Sequence, residues 1–192
     1  KTVEFMSYAF PKWPYPYNHE TVFDGLDEME YPMMVNDIPV EDTVESFGLT
    51  SHEIFHTMFP FYMGINETKY GWMDEGWATI GEWLLTPMFM PGVVDTFGIA
   101  GYEASAGKDI DLPVMTPTTQ LQGIYYEDAS AFAVNSYPKP GLGYLYVKDM
   151  LGDELFFKAL HNYINSWKGK HPMPYDFFNS MNEGAGINLN WF

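Results

Sequence analysis

A chain of 192 residues is long enough for one domain that buries about 70% of the surface of its unfolded state. Its formal net charge of -17 comes from 26 acidic residues against nine lysines and no arginine, which disfavours nucleic acid and anionic membranes as partners. The sequence has no cysteine, so disulfides and thiolate metal sites are excluded, and the compartment stays undecided, with export as one option. No apolar run approaches the roughly 18 residues of a transmembrane helix, and we expect no membrane span. Since the chain begins with Lys1 rather than Met, we expect it to be a piece of a longer protein.

The N-terminal part of the chain predicts a short helix followed by strands. The helix runs to about Phe10, and the turn-rich segment Pro11–Tyr17 follows it. Two strand-like stretches come next, around Glu20–Phe23 and Met29–Val35. We therefore expect one small sheet in this part of the domain.

Helices dominate the rest of the chain. Asp42, with Glu45 three residues later, resembles a capping box that opens a helix toward Phe59, where Pro60 kinks or ends it. Residues 90–123 are rich in Gly, Thr and Pro and predict an irregular segment. Further helices are expected from Asp74 to Pro87, from Tyr137 to Met150, from Asp153 to Trp167 and from Pro174 to Asn182. The fold class is α+β and mostly helical.

A paired-histidine motif lies within the predicted Asp42 helix. In the run H-E-I-F-H at residues 52–56, His52 and His56 are about 400° of helix rotation apart, so both imidazoles share one face and can hold one metal ion. Glu53 lies about 100° from His52, where its carboxylate would contact a water beside the metal and act as a general base. The alternative is that the two histidines cap or pack a core helix.

A third metal ligand is predicted at the start of the next helix. Glu75 lies there, with 18 residues between it and His56. Two histidines and one glutamate leave a fourth position of a zinc ion open, which is the arrangement of catalytic zinc sites. Zinc lowers the pKa of a water toward about 7, and Glu53 can then take its proton. We expect one zinc ion per chain.

These motifs resemble those of the M1 family of zinc aminopeptidases, which are gluzincins. The run D-E-G-W-A at residues 74–78 is similar to the family's N-E-G-F-A and follows H-E-x-x-H at the family's spacing. Upstream, Met29-Glu30 resembles the exopeptidase motif G-x-M-E-N, which implies that Glu30 binds the free α-amino group of the substrate. Downstream, Tyr137-Pro138-Lys139 is similar to Y-x-K-G, which implies that Tyr137 stabilises the oxyanion.

The resemblance covers nearly the whole chain. It implies a thermolysin-like gluzincin catalytic domain with a small edge sheet over residues 1–192, acting on a peptide substrate. The family's N-terminal β domain and C-terminal helical domain have no counterpart in the sequence, so flanking domains of a parent chain are expected to be missing.

Two places depart from the family pattern. Asp27 and Glu28 stand where small residues precede Met-Glu, and Tyr31 replaces the usual Asn. The extra carboxylates could narrow the first subsite or favour basic N-terminal residues. Pro140 replaces the Gly of Y-x-K-G, which can shift the start of that helix without moving Tyr137.

Other side chains have both a structural and a functional interpretation. Glu82 lies seven residues after Glu75, within about 20° of the same helix face, and could orient a ligand imidazole or be a solvated or capping carboxylate. Tyr137 is one of 14 tyrosines and would by itself be interpreted as structural. His19, His161 and His171 have no ligand spacing and are expected to be structural or exposed. Trp72, Trp77 and Trp83 could line a substrate cleft, but an aromatic core is the favoured interpretation.

The function predicted from these residues is zinc-dependent hydrolysis of peptide bonds with release of N-terminal residues. One alternative is a gluzincin endopeptidase, which would need no anchor for the amino end. Another alternative is a non-catalytic, peptidase-like protein-binding module. Loss of a metal ligand or of the general base would favour this alternative. His52, Glu53, His56 and Glu75 are all present.

Overall fold

A computed structural model gives the fold of residues 1–93 and 97–192. The fold is α+β and mostly helical with two small sheets, which confirms the predicted fold class. The helices are α1 (Thr2–Tyr8), α2 (Thr43–Phe55), α3 (Glu75–Phe89), α4 (Phe97–Ser105), α5 (Thr118–Leu121), α6 (Ala131–Ser136), α7 (Pro138–Trp167) and α8 (Pro174–Ala185). The strands are β1 (Thr21–Asp24), β2 (Met29–Tyr31), β3 (Met34–Asp37), β4 (Tyr125–Tyr126) and β5 (Ala129–Ser130).

The three-stranded sheet has the order β1–β3–β2, so β2 is one of its edges. β1 runs parallel to β3, whereas β2 runs antiparallel to it with Glu30 opposite Val35. The single strand expected over Met29–Val35 is therefore wrong, because the chain turns at Pro32 between two strands. Proline has no N–H to donate to a strand ladder, so it favours a break at this point. Val35 belongs to the main core, while β1 is exposed along its length.

Helix α2 begins where the sequence predicts, because Asp42 caps it. The Asp42 Oδ1 atom accepts hydrogen bonds from the backbone N–H groups of Val44, at 2.9 Å, and Glu45, at 3.0 Å. These donors have no partner within the helix, so the cap satisfies two of them and sets the first turn.

The end of α2 comes one turn earlier than predicted. The helix stops at Phe55 with His56 as its C-terminal cap residue, and a π-helical turn, Thr57–Tyr62, follows. The backbone is non-helical at Phe59 because the ring of Pro60 disfavours the helical conformation in the residue before it.

Helix α3 lies very close to α2. A Cβ atom added to Gly81 of α3 would lie 2.5 Å from the ring of Phe55, so only glycine permits this separation of the two helices. One turn before Gly81 on α3, the fully buried Trp77 stacks on Tyr144 of α7 with 4.0 Å between ring centroids. Trp72 also lies in the main core. The aromatic core thus holds α2 and α3 at one fixed distance.

The segment expected to be irregular, residues 90–123, contains α4 and α5, and the prediction is wrong for those parts. Tyr102 of α4 packs against a small second core that includes Ile110 and Leu121. This burial favours helix despite the glycines of the segment, whose intrinsic propensity is low. Residues 94–96 lie outside the described part of the chain.

The C-terminal helices follow the prediction closely. The two helices expected on either side of Leu151 and Gly152 are the two halves of α7, which bends at Gly152 with φ 71° and ψ 160°. This backbone conformation favours glycine. α8 packs against α7, and within the described residues no helix is long and apolar enough to cross a membrane.

Candidate active site

The two histidines of α2 and the first residue of α3 converge on one point. His52 Nε2 lies 3.1 Å from Glu75 Oε2, and His56 Nε2 lies 3.4 Å from the same oxygen. The histidines lie one turn apart, His52 in the last turn of α2 and His56 at its C-terminal cap, and the close approach of α3 brings Glu75 to them. A carboxylate in the first turn of a helix also interacts favourably with the helix dipole. The structure therefore brings together the three residues predicted to bind a metal.

Two further carboxylates contact the second ring nitrogen of these histidines, one carboxylate for each imidazole. Asp74 Oδ1 lies 2.6 Å from His56 Nδ1, and Glu82 Oε2 lies 3.4 Å from His52 Nδ1. Carboxylates that contact the second ring nitrogen fix both the tautomer and the orientation of a metal-binding histidine. Sequence reasoning gave Glu82 this position as one of two interpretations and assigned no role to Asp74, although its place directly before Glu75 is a usable signal.

The geometry of this cluster fits a zinc ion. The ligand atoms of His52, His56 and Glu75 all lie within 4.8 Å of one another. Bond lengths of about 2.0–2.1 Å in a tetrahedral site separate two ligand atoms by about 3.3 Å. The measured separations of 3.1 and 3.4 Å from Glu75 Oε2 match that value. Nitrogen and carboxylate donors are also the chemical types that zinc accepts.

The Glu82 carboxylate occupies space next to Gly48 of α2, one turn before His52, because glycine has no side chain. A Cβ atom added to Gly48 would lie 2.9 Å from Glu82 Oε1. Any larger side chain at residue 48 would have to displace this carboxylate. Sequence reasoning missed Gly48, and the four-residue spacing to His52 is the signal that could have identified it.

The electrostatics of the cluster favour protonation of both imidazoles as long as no cation is bound. Burial lowers the pKa of His52, but its hydrogen bonds with Glu75 and Glu82 outweigh this effect and raise the pKa to about 9. Burial also disfavours a charged His56, yet the neighbouring Asp74 raises its pKa well above the usual value. Burial would raise the pKa of Glu75, but hydrogen bonds with both histidines hold it well below its ordinary range. A metal ion that binds here must therefore displace protons.

Glu53 is buried beside the cluster and has an unpartnered oxygen. The residue is only 6% exposed, and its Oε2 atom has no hydrogen-bond partner in the described part of the chain. Burial raises the pKa of this carboxyl group to about 7, while the charges of His52 and His56 oppose the shift. A buried polar atom without a partner carries a free-energy cost and indicates a position where a water or substrate atom binds. This is the environment expected of a general base.

Tyr137 caps α7 at the edge of the same cluster. Its hydroxyl group donates a hydrogen bond to Glu75 Oε1 at 2.8 Å, and its ring stacks on that of His52 with 6.1 Å between centroids. Burial and the negative charge of Glu75 raise the pKa of Tyr137 far above its ordinary value. The hydroxyl group therefore keeps its proton and acts as a donor.

The edge strand β2 places Glu30 against the cluster. A carboxylate oxygen of Glu30 lies within 4.8 Å of donor atoms of Glu53 and His56. A Glu30 oxygen also lies within 4.8 Å of carboxylate oxygens of Asp74 and Glu75. Glu30 is partly buried, whereas its neighbours Met29 and Tyr31 are exposed. The strand thus brings one carboxylate close to the cluster.

A cavity of about 780 Å³ opens over these side chains. Its walls include every residue predicted for the site, from Glu30 on the sheet to Tyr137 on α7, and they also carry residues outside that predicted set. These further residues are Glu28, Met29, Val44, Glu45, Gly48, Leu49, Thr86 and Val93.

The three histidines without ligand spacing lie away from this cavity. His19 is exposed, the His161 Nε2 atom donates to the backbone oxygen of Pro11 at 2.9 Å, and the His171 Nδ1 atom donates to that of Gly64 at 2.8 Å. None of them belongs to a group of metal-donor side chains in residues 1–93 or 97–192.

Comparison with known proteins gives a family match and several similar proteins. Residues 29–192 match the profile described as "Peptidase family M1 domain". The chain is 26% identical over 155 residues to an aminopeptidase N from Plutella xylostella, with 76% of this chain and 16% of that protein covered. Its fold is similar to that of a mutant M1 zinc metallopeptidase from Deinococcus radiodurans, with a TM-score of 0.69, 16% identity and coverage of 97% of this chain and 40% of that one.

A second structure of a mutant M1 zinc metallopeptidase from Deinococcus radiodurans, bound to a Tyr-Ser-Ala substrate, gives a TM-score of 0.67 at 15% identity. That comparison covers 97% of this chain and 40% of the other. The chain therefore spans less than half the length of these relatives.

Proposed function

The chain belongs to peptidase family M1, and from this premise we propose that it hydrolyses peptide bonds with one bound zinc ion and releases residues from the amino end of its substrates. The observation that carries the proposal is the convergence of His52 Nε2 and His56 Nε2 on Glu75 Oε2 beside the unpartnered Glu53 Oε2. A binding module would have no need for this buried, unpartnered carboxylate oxygen, which costs folding free energy.

In the proposed mechanism His52, His56 and Glu75 hold the zinc ion, while Asp74 and Glu82 keep the two imidazoles in place. Zinc, when bound, supplies Lewis-acid chemistry: it polarises the scissile carbonyl group and lowers the pKa of a water molecule. The protein's own contribution is a rigid and largely buried set of donors, so that little reorganisation is needed during the reaction.

Two side chains handle the proton and the developing charge. Glu53 accepts a proton from the attacking water and passes it to the leaving amine, a role that its buried position and its raised pKa support. Tyr137 donates a hydrogen bond to the oxyanion that develops on the scissile carbonyl. To do so its hydroxyl group exchanges its present bond to Glu75 Oε1 for one to the substrate.

Glu30 supports cleavage at the amino end. Its carboxylate faces the centre, where a substrate ammonium group can pair with it. The chain contains no arginine that could receive a C-terminal carboxylate as a planar, two-bonded partner. The amino end of the substrate is therefore the better anchor, and this favours an aminopeptidase over an endopeptidase.

The proposal is tested by metal analysis combined with one substitution. We expect close to one zinc ion per chain after dialysis against zinc, and hydrolysis of short peptides with a free N-terminus. Glu53→Gln should keep the zinc but lower the rate by at least about 100-fold, because an amide cannot accept the proton. Glu154→Gln, an exposed position on α7, is the matched control and should leave both quantities unchanged. Absence of zinc after reconstitution, or full activity in Glu53→Gln, would contradict the proposal.

A further inference from the structure

We propose that the cavity over the metal centre prefers substrates whose terminal side chain is long and ends in a cation, as in lysine or arginine. The occupant is a substrate only if the proposed function holds. The preference itself is a binding property of the cavity, and it can be measured without any hydrolysis.

The first observation is the charge of the cavity wall. Six glutamates line it, and the described lining residues contain no lysine or arginine. Four of the glutamates, Glu30, Glu53, Glu75 and Glu82, already have places at the metal centre. Glu28 and Glu45 have none, and they stand on different elements, the turn before β2 and the first turn of α2.

The second observation is that these two carboxylates have no neutralising partner. In residues 1–93 and 97–192, neither Glu28 nor Glu45 makes an ion pair or a side-chain hydrogen bond. Deeper in the same cavity, Glu53 Oε2 is also without a partner although its side chain is more than nine-tenths buried. The rim of the cavity, where Glu28 and Glu45 lie, is thus negative, and a cation is the complementary ligand there.

The third observation is the apolar surface between the carboxylates. Met29, Val44 and Leu49 line the cavity, and Met29 is 40% exposed and Val44 37% exposed to it and to solvent. A lysine or arginine side chain has an aliphatic stem that packs on such a surface and a charged end that stays near water and the carboxylates. An apolar side chain of equal length would gain only the packing, and an acidic one would be repelled.

The test compares two amides that differ in one group. Lysinamide and norleucinamide have unbranched side chains of similar length, but only that of lysinamide ends in an ammonium group. Titration calorimetry on the zinc-dialysed chain should show lysinamide binding about 5- to 20-fold more tightly, since pairs with solvent-accessible carboxylates are each weak. Raising the salt concentration should reduce this ratio.

The residues are tested by replacing both rim carboxylates. In the double variant Glu28→Gln and Glu45→Gln, the ratio of the two affinities should fall close to one. Glu41→Gln is the matched control, because Glu41 is exposed just before α2 and does not line the cavity. It should leave the ratio unchanged.

Three results would overturn the inference: equal affinities for the two amides, no binding of either, or a preference that survives the double substitution. Hydrolysis is measured separately on the same preparation. A preference for lysinamide without hydrolysis would support this inference and contradict the proposed function. Hydrolysis without a preference would support the proposed function and contradict this inference.

Discussion

The proposed metal centre and the strand that carries Glu30 face the same cavity, but they are supported in different ways. His56 is 1% exposed and Asp74 is 2% exposed, and both lie between helices that the aromatic core holds in contact. Glu30 lies on a three-residue edge strand whose other two residues, Met29 and Tyr31, are 40% and 41% exposed. The two regions therefore differ in what they position. The buried centre fixes the positions of the proposed metal ligands, and the thin sheet presents one carboxylate to a molecule that enters the cavity.

If this division is correct, changes on α2 and α3 should alter metal binding, and changes on β2 should alter substrate binding alone. Local stability differs in the same sense, since exposed edge strands open more readily than packed core helices.

The largest effect is expected for His56→Ala. Loss of one of three protein ligands should reduce the zinc content from close to one ion per chain to nearly none after dialysis. Because metal binding contributes to the stability of the folded state, the variant should also lose the rise in melting temperature that zinc gives the unsubstituted chain. Metal analysis and thermal unfolding with and without a chelator measure both quantities. His19→Ala, at an exposed position, is the control, and zinc retained by His56→Ala would remove this histidine from the ligand set.

The sheet side of the comparison is tested by Glu30→Ala. Without this carboxylate the barrier for peptides with a free N-terminus should rise by about 2–4 kcal/mol, because the substrate ammonium loses its partner. The zinc content should not change. The measurement is kcat/KM for matched free and N-acetylated peptides, and acetylated peptides should be poor substrates before and after the substitution. Equal cleavage of both peptides by the unsubstituted chain would indicate an endopeptidase and would leave the zinc argument intact.

A smaller effect is expected for Asp74→Ala, which removes the carboxylate 2.6 Å from His56 Nδ1. Loss of such a partner typically costs about 10- to 100-fold in metal affinity. Asp74→Asn is the matched control, because it keeps an oxygen acceptor of the same length, and it should retain most of the affinity. Competition with a fluorescent zinc chelator gives both values. Affinities that are the same in all three proteins would show that His56 needs no support from Asp74.

The smallest effect, and the sharpest test of the helix side, is expected for Gly48→Ala. The added Cβ atom should push the Glu82 carboxylate away from His52, and zinc affinity should fall by a few fold. Since the displaced atom is the end of a flexible side chain, the fold should be unaffected. Alanine's better helix propensity should even raise stability by up to about 1 kcal/mol.

Gly143→Ala on α7 is the control for this substitution, because an added Cβ atom there meets nothing within 4 Å. It should show the same gain in melting temperature and no change in zinc affinity. A Gly48→Ala variant that binds zinc as well as the Gly143→Ala variant would remove Gly48 and Glu82 from the support of the centre.

The amino-acid sequence by itself determined those features that depend on neighbours along the chain. The Asp42 cap, the two histidines on one helix face and the break of α7 at Gly152 follow from rules that act over four residues or fewer. The spacing after His56 indicated Glu75, and the family resemblance then brought in Glu30 and Tyr137; all three lie far from the histidines in sequence but close to them in space. The roles of all these site residues stay proposals.

The tertiary structure alone decided which atoms meet across elements. The pairing of Asp74 with His56, the space that Gly48 leaves for Glu82 and the place of Glu45 in the cavity depend on the distance between α2 and α3. That distance is set by the contact of Gly81 with Phe55 inside an aromatic core. The same holds for α4, which forms because Tyr102 is packed against distant residues rather than because of its own glycine-containing sequence. Local periodicity carries no information about such long-range packing, since its free energy comes from surface that is buried only when the elements are assembled.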